Sequence, residues 1–286
     1  MTWPVLFVSH GSPMMAVEPG RAGVALAQWS AALAARPKAI LVVSPHWRGH
    51  GLAVTTRSQQ QAWHDFGGFP AELYQLRYDA PGDPALAGRV RGLLGQAGYT
   101  VQEDAAQPLD HGAWVPLRYL YPQADVPVVQ LSLDAGLAAE GQYALGQSLA
   151  PLRDEDVLII GSGSLTHNLR DVRMPQDAPP CSYVPGFQAW FAQQLQAGDV
   201  AALLDWESQA PGARQAHPHD DHLMPFYVAL GAGAARDVEP SGGASRTGRL
   251  PDGSFGDHLE LLLACGPCET HQRPDRFGDL PWDGVA

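Results

Sequence analysis

A short apolar run that stops dead at a histidine is the strongest constraint on this chain. In Trp3-Pro4-Val5-Leu6-Phe7-Val8-Ser9-His10-Gly11-Ser12-Pro13 the stretch Trp3 to Val8 is long enough for a buried strand, and the Gly/Ser/Pro break that follows cannot continue it. His10 is thereby placed just beyond the carboxyl end of a strand, the edge where open α/β sheets bind their ligands. The arrangement recurs. Ala39-Ile40-Leu41-Val42-Val43-Ser44 is a second continuous apolar strand, and Pro45-His46-Trp47 ends it. Two strands that deliver histidines in this way predict a metal or catalytic site assembled across a sheet.

The segments between fit that frame. Arg21 to Ala35 has the Ala, Leu and Trp spacing of a helix stopped before Pro37, so the first strand, this helix and the second strand form a parallel β-α-β unit. Leu52 to Thr56 is a third strand and Pro84 to Gln96 a helix ended by Gly98-Tyr99. Val126 to Leu133 is a strand, Leu137 to Leu152 a helix, and Val157 to Ile160 another buried strand. That strand runs into Gly161-Ser162-Gly163-Ser164-Leu165-Thr166-His167-Asn168, a third strand end carrying a histidine. Helices are expected over Gly186 to Gln196 and Val200 to Trp206. The run His217-Pro218-His219-Asp220-Asp221-His222 precedes a helix to about Leu230, with Pro225 tolerable only in its first turn. Gln59 to Pro84, rich in Trp63, His64, Phe66, Phe69, Tyr74 and Tyr78, has no clean period and is expected to be a lid or pocket wall. Ser241 to Gly256 reads as a flexible surface loop and His258 to Ala264 as a final strand. With no repeat and no linker, one catalytic domain is expected over 1–286, its core at about 3–265 and an irregular tail over 266–286.

Composition excludes several functions. The net charge is −12 with no basic cluster, which disfavours nucleic acid and anionic membrane surfaces as partners. No stretch approaches membrane-spanning length and the N-terminal run is too short for a signal core, so a cytoplasmic protein is expected. Three cysteines imply no disulfide framework. Cys265-Gly266-Pro267-Cys268 has a redox-pair spacing, but the residues after it offer little helix to lower a thiol pKa. A structural zinc site of Cys265, Cys268 and His271 is equally weak. Gly161-Ser162-Gly163 lacks the third glycine of a dinucleotide loop, the lysine of a phosphate loop and the pattern of a nucleophile elbow.

The histidines differ in kind. One histidine beside an apolar strand is commonly a satisfied structural residue, and the His217 to His222 run could be a polar helix cap, with Asp220 or Asp221 accepting from the first backbone amides. Four histidines at strand ends or a helix start, His10, His46, His167 and His222, argue against coincidence, because metal sites draw such ligands from distant segments.

These residues also carry a resemblance. His10-Gly11-Ser12-Pro13, Ser44-Pro45-His46-Trp47, Leu109-Asp110-His111-Gly112-Ala113-Trp114, Gly161 to Asn168 and Asp221-His222-Leu223-Met224-Pro225 resemble, in order, the motifs of the DOPA-dioxygenase-type extradiol enzymes, within the class III extradiol ring-cleavage family. The resemblance implies a mixed α/β sandwich around a central sheet. It implies a metal held at His10, His46 and His222, His167 as the acid/base histidine, and His111 as a second pocket histidine contacting substrate or oxygen. The reaction implied is Fe(II)-dependent cleavage of a small catechol by O2 to a muconic semialdehyde. Three neutral imidazoles, with no carboxylate among them, leave the ion its full charge. That favours a deprotonated catecholate and also suits Zn(II), so a zinc-dependent hydrolase and a non-enzymatic Memo-like protein stand as alternatives. Asp220 or Asp221 could orient a ligand's free ring nitrogen. Trp47, Phe66, Phe69, Trp114 and Tyr227 are candidate walls for an aromatic ring.

Overall fold

The structure is a computed structural model that describes residues 2–171, 181–234 and 259–262. Strand β1 (Val5–Ser9) shows how the layers arise: Val5 and Phe7 enter one apolar cluster, Leu6 and Val8 the other. A strand apolar on both faces is stable only with helices covering both sides. In β2 (Ala39–Gly49) Leu41 and Val43 point one way, Ile40 and Val42 the other.

The remaining elements follow in chain order: α1 (Gly20–Ala32) before β2, then β3 (Leu52–Thr55), α2 (Pro84–Gln96), β4 (Val101–Asp104), α3 (His111–Leu120), β5 (Val128–Asp134), α4 (Ala139–Leu149), β6 (Val157–Gly163), α5 (Val184–Ala197), α6 (Val200–Leu204), α7 (Trp206–Gln209), α8 (Ala213–Ala216), α9 (Met224–Gly233) and β7 (Leu259–Leu262). The sheet runs β4-β3-β5-β2-β6-β1-β7. Every neighbouring pair is parallel except β3 with β5, so the sheet is mixed. Helices α1 and α3 cover one face through Leu26, Trp29, Trp114 and Leu117. Helices α2, α4 and α9 cover the other through Leu86, Val90, Leu145, Leu149, Phe226 and Leu230.

Helix α9 is buried along its whole length because it lies between the sheet and α4. Glycines set that closeness. A Cβ at Gly231 would stand 2.0 Å from the Tyr143 carbonyl oxygen, and one at Gly161 2.3 Å from that of Pro225. The apolar faces therefore meet at backbone distance, and the N-terminus of α9 is delivered to the carboxyl edge of β6.

Most elements match the sequence expectation. Helix α2 begins where Asp83 accepts from Leu86 N at 2.9 Å and Pro84 opens the first turn. Pro225 sits in the first turn of α9 as expected. Three features differ. β2 does not end at Pro45; it continues to Gly49 through a register shift between Val43 and Arg48, so His46 sits in a bulge inside the strand. β4 was not expected, because this edge strand buries only Val101 of Val-Gln-Glu-Asp. The helix expected over Val200 to Trp206 is broken at Asp205, and α8 is an extra turn. Of the two forms expected for the aromatic segment, lid or pocket wall, the contacts favour the wall: Trp63 N donates to Leu109 O and Leu109 N to Gln61 O, while buried Gln60 donates its Nε2 to Val128 O. It is a wall pinned to the sheet. The loop expected over Ser241 to Gly256, Cys265, Cys268, His271 and the tail over 266–286 lie outside the described residues.

Candidate metal centre

His10, His46 and His222 converge at the carboxyl edge of the central strands. One ring nitrogen from each lies within 4.8 Å of the others. His10 follows β1 directly, its backbone N donating to Gly163 O at 3.1 Å. His46 is aimed by the bulge in β2, a common use of that distortion beside functional sites. His222 precedes α9, and its carbonyl accepts from Ser164 N at 2.9 Å, tying the turn to the end of β6. The tie is tight: a Cβ at Gly163 would lie 2.2 Å from His222 O.

Hydrogen bonds settle the tautomer of His10. Ser162 donates its only hydroxyl proton to Gly112 O at 2.5 Å, so it accepts from His10 Nδ1 at 3.1 Å. The lone pair of His10 is thus on Nε2, which stands 3.1 Å from His46 Nε2. Two nitrogens each bound about 2.1 Å from one ion stand about 3 Å apart, so the spacing suits a shared cation. Burial and the neighbouring histidines push the His10 pKa well down, and burial takes His46 to about 2. Both rings are neutral at physiological pH and offer lone pairs, as ligation requires. The donor set therefore fits a metal ion.

Two more histidines flank the three. His167, whose backbone N donates to Ala216 O at 2.8 Å, stacks flat on His222, with ring centroids 3.4 Å apart and planes 9° apart. Burial, then the nearby His222, lowers its pKa to about 3. His111, the first residue of α3, lies with its ring centroid 3.9 Å from that of His46. The structure thus brings all five sequence-predicted histidines together.

Other residues of the site escaped the sequence reading. Asp65, on the aromatic segment, faces His111 Nδ1 with both carboxylate oxygens at 3.0 Å and also accepts from His111 N at 3.0 Å. A carboxylate there accepts from Nδ1–H and fixes the orientation of the ring. Beneath the site, buried Asp110 accepts from Ser44 Oγ at 2.8 Å, from Ala113 N at 3.0 Å as the cap of α3, and from Gln130. Burial raises its pKa to about 6. Ser44 in turn accepts from His46 N at 3.3 Å. Gly112 must be glycine, because a Cβ would lie 2.3 Å from Ser44 Oγ and 3.0 Å from His46 Cδ2. Only the Asp-His-Gly order at 110–112 hinted at this network.

Asp220 and Asp221 do not cap α9 with their side chains. The Asp220 backbone carbonyl takes Leu223 N at 2.8 Å, while its carboxylate pairs with Arg48 at 3.3 Å. Asp221 Oδ2 lies 3.3 Å from His222 Nδ1. Among the candidate wall residues, Phe66 packs edge-on to His111 and against Phe69 and Trp114. Trp47 is half-buried. Tyr227 belongs to the core instead, donating to Leu203 O and packing on Phe226. No described helix is long and apolar enough to cross a membrane.

Comparison with known proteins identifies relatives of this chain. Residues 4–245 match the family described as the catalytic LigB subunit of aromatic ring-opening dioxygenase. A Beta vulgaris protein named 4,5-DOPA dioxygenase extradiol is 43% identical over 234 residues, covering 79% of this chain and 85% of its own. An Escherichia coli K12 protein of the same name is 37% identical over 235 residues, covering 80% and 84%. The crystal structure of an uncharacterized E. coli K12 protein superposes with a TM-score of 0.67 at 32% identity, covering 80% of this chain and 88% of that one. With this extent of likeness and a histidine cluster able to hold a metal, the chain belongs to the LigB family of aromatic ring-opening dioxygenases.

Proposed function

We propose that this enzyme is an Fe(II)-dependent extradiol dioxygenase that opens the ring of a small catechol, with His10, His46 and His222 holding the ion. The observation that carries the reading is the convergence of those three ring nitrogens within 4.8 Å, flanked by two further histidines. The chain is read as one catalytic domain, since these groups come from positions 10 to 222 on one sheet. Iron fits better than zinc because zinc has no redox chemistry to offer O2. When bound, Fe(II) supplies positions for both catechol oxygens and for O2, and a path for electrons between them.

The chain's own groups do the rest. His167 is stacked on His222 rather than spread around the ion, so it is free to accept the catechol hydroxyl proton and return it as the ring opens. Its pKa, lowered by burial, rises when an anionic catecholate is beside it, since a nearby negative charge favours imidazolium. His111, its Nδ1 held by Asp65, is a positioned hydrogen-bonding partner for substrate or oxygen. Phe66 lines the wall against which a flat ring packs. Both oxygen atoms of O2 enter the product, a muconic semialdehyde. DOPA is the named substrate of the Beta vulgaris and E. coli relatives, and a catechol with an amino-acid side chain is the first candidate.

The test is anaerobic loading of the metal-free protein with Fe(II), followed by O2 uptake and ring-cleavage absorbance on a catechol panel including DOPA and protocatechuate. One O2 consumed per catechol is expected, with His167→Ala retaining iron and losing about a hundredfold or more in turnover. No uptake with any catechol overturns the reading.

A further inference from the structure

The loop that carries His167 leaves β6 at Gly163 and is tied to one stretch of chain, residues 215–222. Ser164 N donates to His222 O at 2.9 Å, His167 N to Ala216 O at 2.8 Å and Asn168 Nδ2 to Gln215 O at 2.8 Å. One further tie comes from a buried side chain, His217, whose Nε2 meets Leu165 O at 2.7 Å. A carbonyl only accepts, so His217 carries its proton on Nε2. Residues 165, 167 and 168 are thus bonded to 217, 216 and 215, in antiparallel order. The same stretch ends in His222, on which the His167 ring stacks.

His217 is itself fixed, with ring centroids 5.7 Å from that of Phe187 and 5.6 Å from that of Trp206. Its Nδ1 is buried and has no hydrogen-bond partner among the described residues. An apolar side chain would pack between those rings without leaving an unpaired acceptor, so what the imidazole adds is its bond to Leu165.

We propose that His217 is the positioning residue for His167: its N–H fixes Leu165 O, and with it the backbone from which the His167 ring projects onto His222. The proposal rests on the reading of His167 as the acid/base histidine. His217 acts through the loop and not on the substrate.

Two variants separate the donated bond from the bulk of the ring. His217→Gln keeps a donor at the position of Nε2, whereas His217→Leu fills the space without one. In the metal-free proteins, hydrogen exchange of the His167 amide, followed by NMR, is expected at the wild-type rate in His217→Gln and about tenfold or more faster in His217→Leu. In the iron-loaded proteins, His217→Leu is expected to lose about ten- to a hundredfold in kcat with KM and iron content unchanged, and His217→Gln to restore most of it. Equal losses in both variants overturn the role, as does wild-type amide exchange in His217→Leu or iron lost in step with kcat. So does a wild-type spectrum in which the His217 ring proton sits on Nδ1, a result that needs no variant to fold. Absence of O2 uptake by the wild type sinks ring cleavage instead, and the amide exchange rates then still decide whether His217 holds the loop.

Discussion

At the scale of single residues, the site depends on groups that orient histidines as much as on the histidines. Asp65 holds His111 through three contacts at 3.0 Å, to its ring and its backbone. Asp65→Asn keeps the shape and the backbone acceptor but weakens control of the His111 proton. Loss of such a partner costs about ten- to a hundredfold in function. We expect kcat/KM for the preferred catechol to fall by that amount while iron content, measured by mass spectrometry, stays at the wild-type level. Iron loss in parallel with activity would assign Asp65 to the ligand set. The histidines were legible in the sequence because each follows an apolar run or opens a helix, as at Val8-Ser9-His10 and His222-Leu223-Met224-Pro225. Asp65 was not legible, because its segment has no period and its partner is 46 residues away. Ser162 was passed over for a related reason: a serine between glycines has no chemistry until its hydroxyl is seen between Gly112 O and His10 Nδ1.

At the scale of elements, strands were legible where both faces are apolar, as in β1, β5 and β6, and lost where only one side chain is buried, as in β4. The bulge in β2 was hidden because Pro45 ordinarily ends a strand, yet this strand resumes its pairing at Arg48 with Leu133. Helix placement at the site depends on small residues. Gly231 lets α9 approach α4 so closely that a Cβ would meet the Tyr143 carbonyl at 2.0 Å, and the backbone there cannot swing aside as a flexible side chain would. Gly231→Ala is therefore expected to destabilise the protein by about 2 kcal/mol or more, lowering Tm by roughly 4–8 °C. Because α9 follows His222, iron affinity should fall as well. A thermal melt and metal titration equal to wild type would show that the two helices have slack that their spacing denies.

At the scale of the whole molecule, a sheet with helices on both faces was foreseeable from alternating apolar strands and helices, while the strand order was not, since it depends on crossovers that local patterns do not encode. The assembly buries histidines in their neutral form, and that has a consequence in acid. Folded His217, buried between Phe187 and Trp206 with Nε2 donating to Leu165 O, has its pKa lowered to about 4, chiefly by burial. Unfolded, it titrates near about 6.5. Between those values the unfolded chain binds more protons, so stability is full above about pH 6.5 and falls as pH drops, by up to about 1.4 kcal/mol per pH unit per histidine. His10, His46 and His167 of the metal-free protein act in the same direction. Urea unfolding of the metal-free protein should show a midpoint that declines from about pH 7 to about pH 4, with His217→Gln reducing the slope by about one proton. A slope unchanged in that variant would mean His217 takes up its proton without unfolding.

We propose that one ion is held by three particular imidazoles, those of His10, His46 and His222. Alternative groupings share their members: His167, Asp221 and His222 also come within 4.8 Å, as do His46, Asp65 and His111. The decisive measurement is anomalous diffraction, on both sides of the iron absorption edge, from crystals loaded anaerobically with Fe(II). A single peak is expected about 2.1 Å from one ring nitrogen each of His10, His46 and His222, with His167 outside bonding distance. A peak coordinated by Asp221 or Asp65, or by His167 in place of His10, would contradict it.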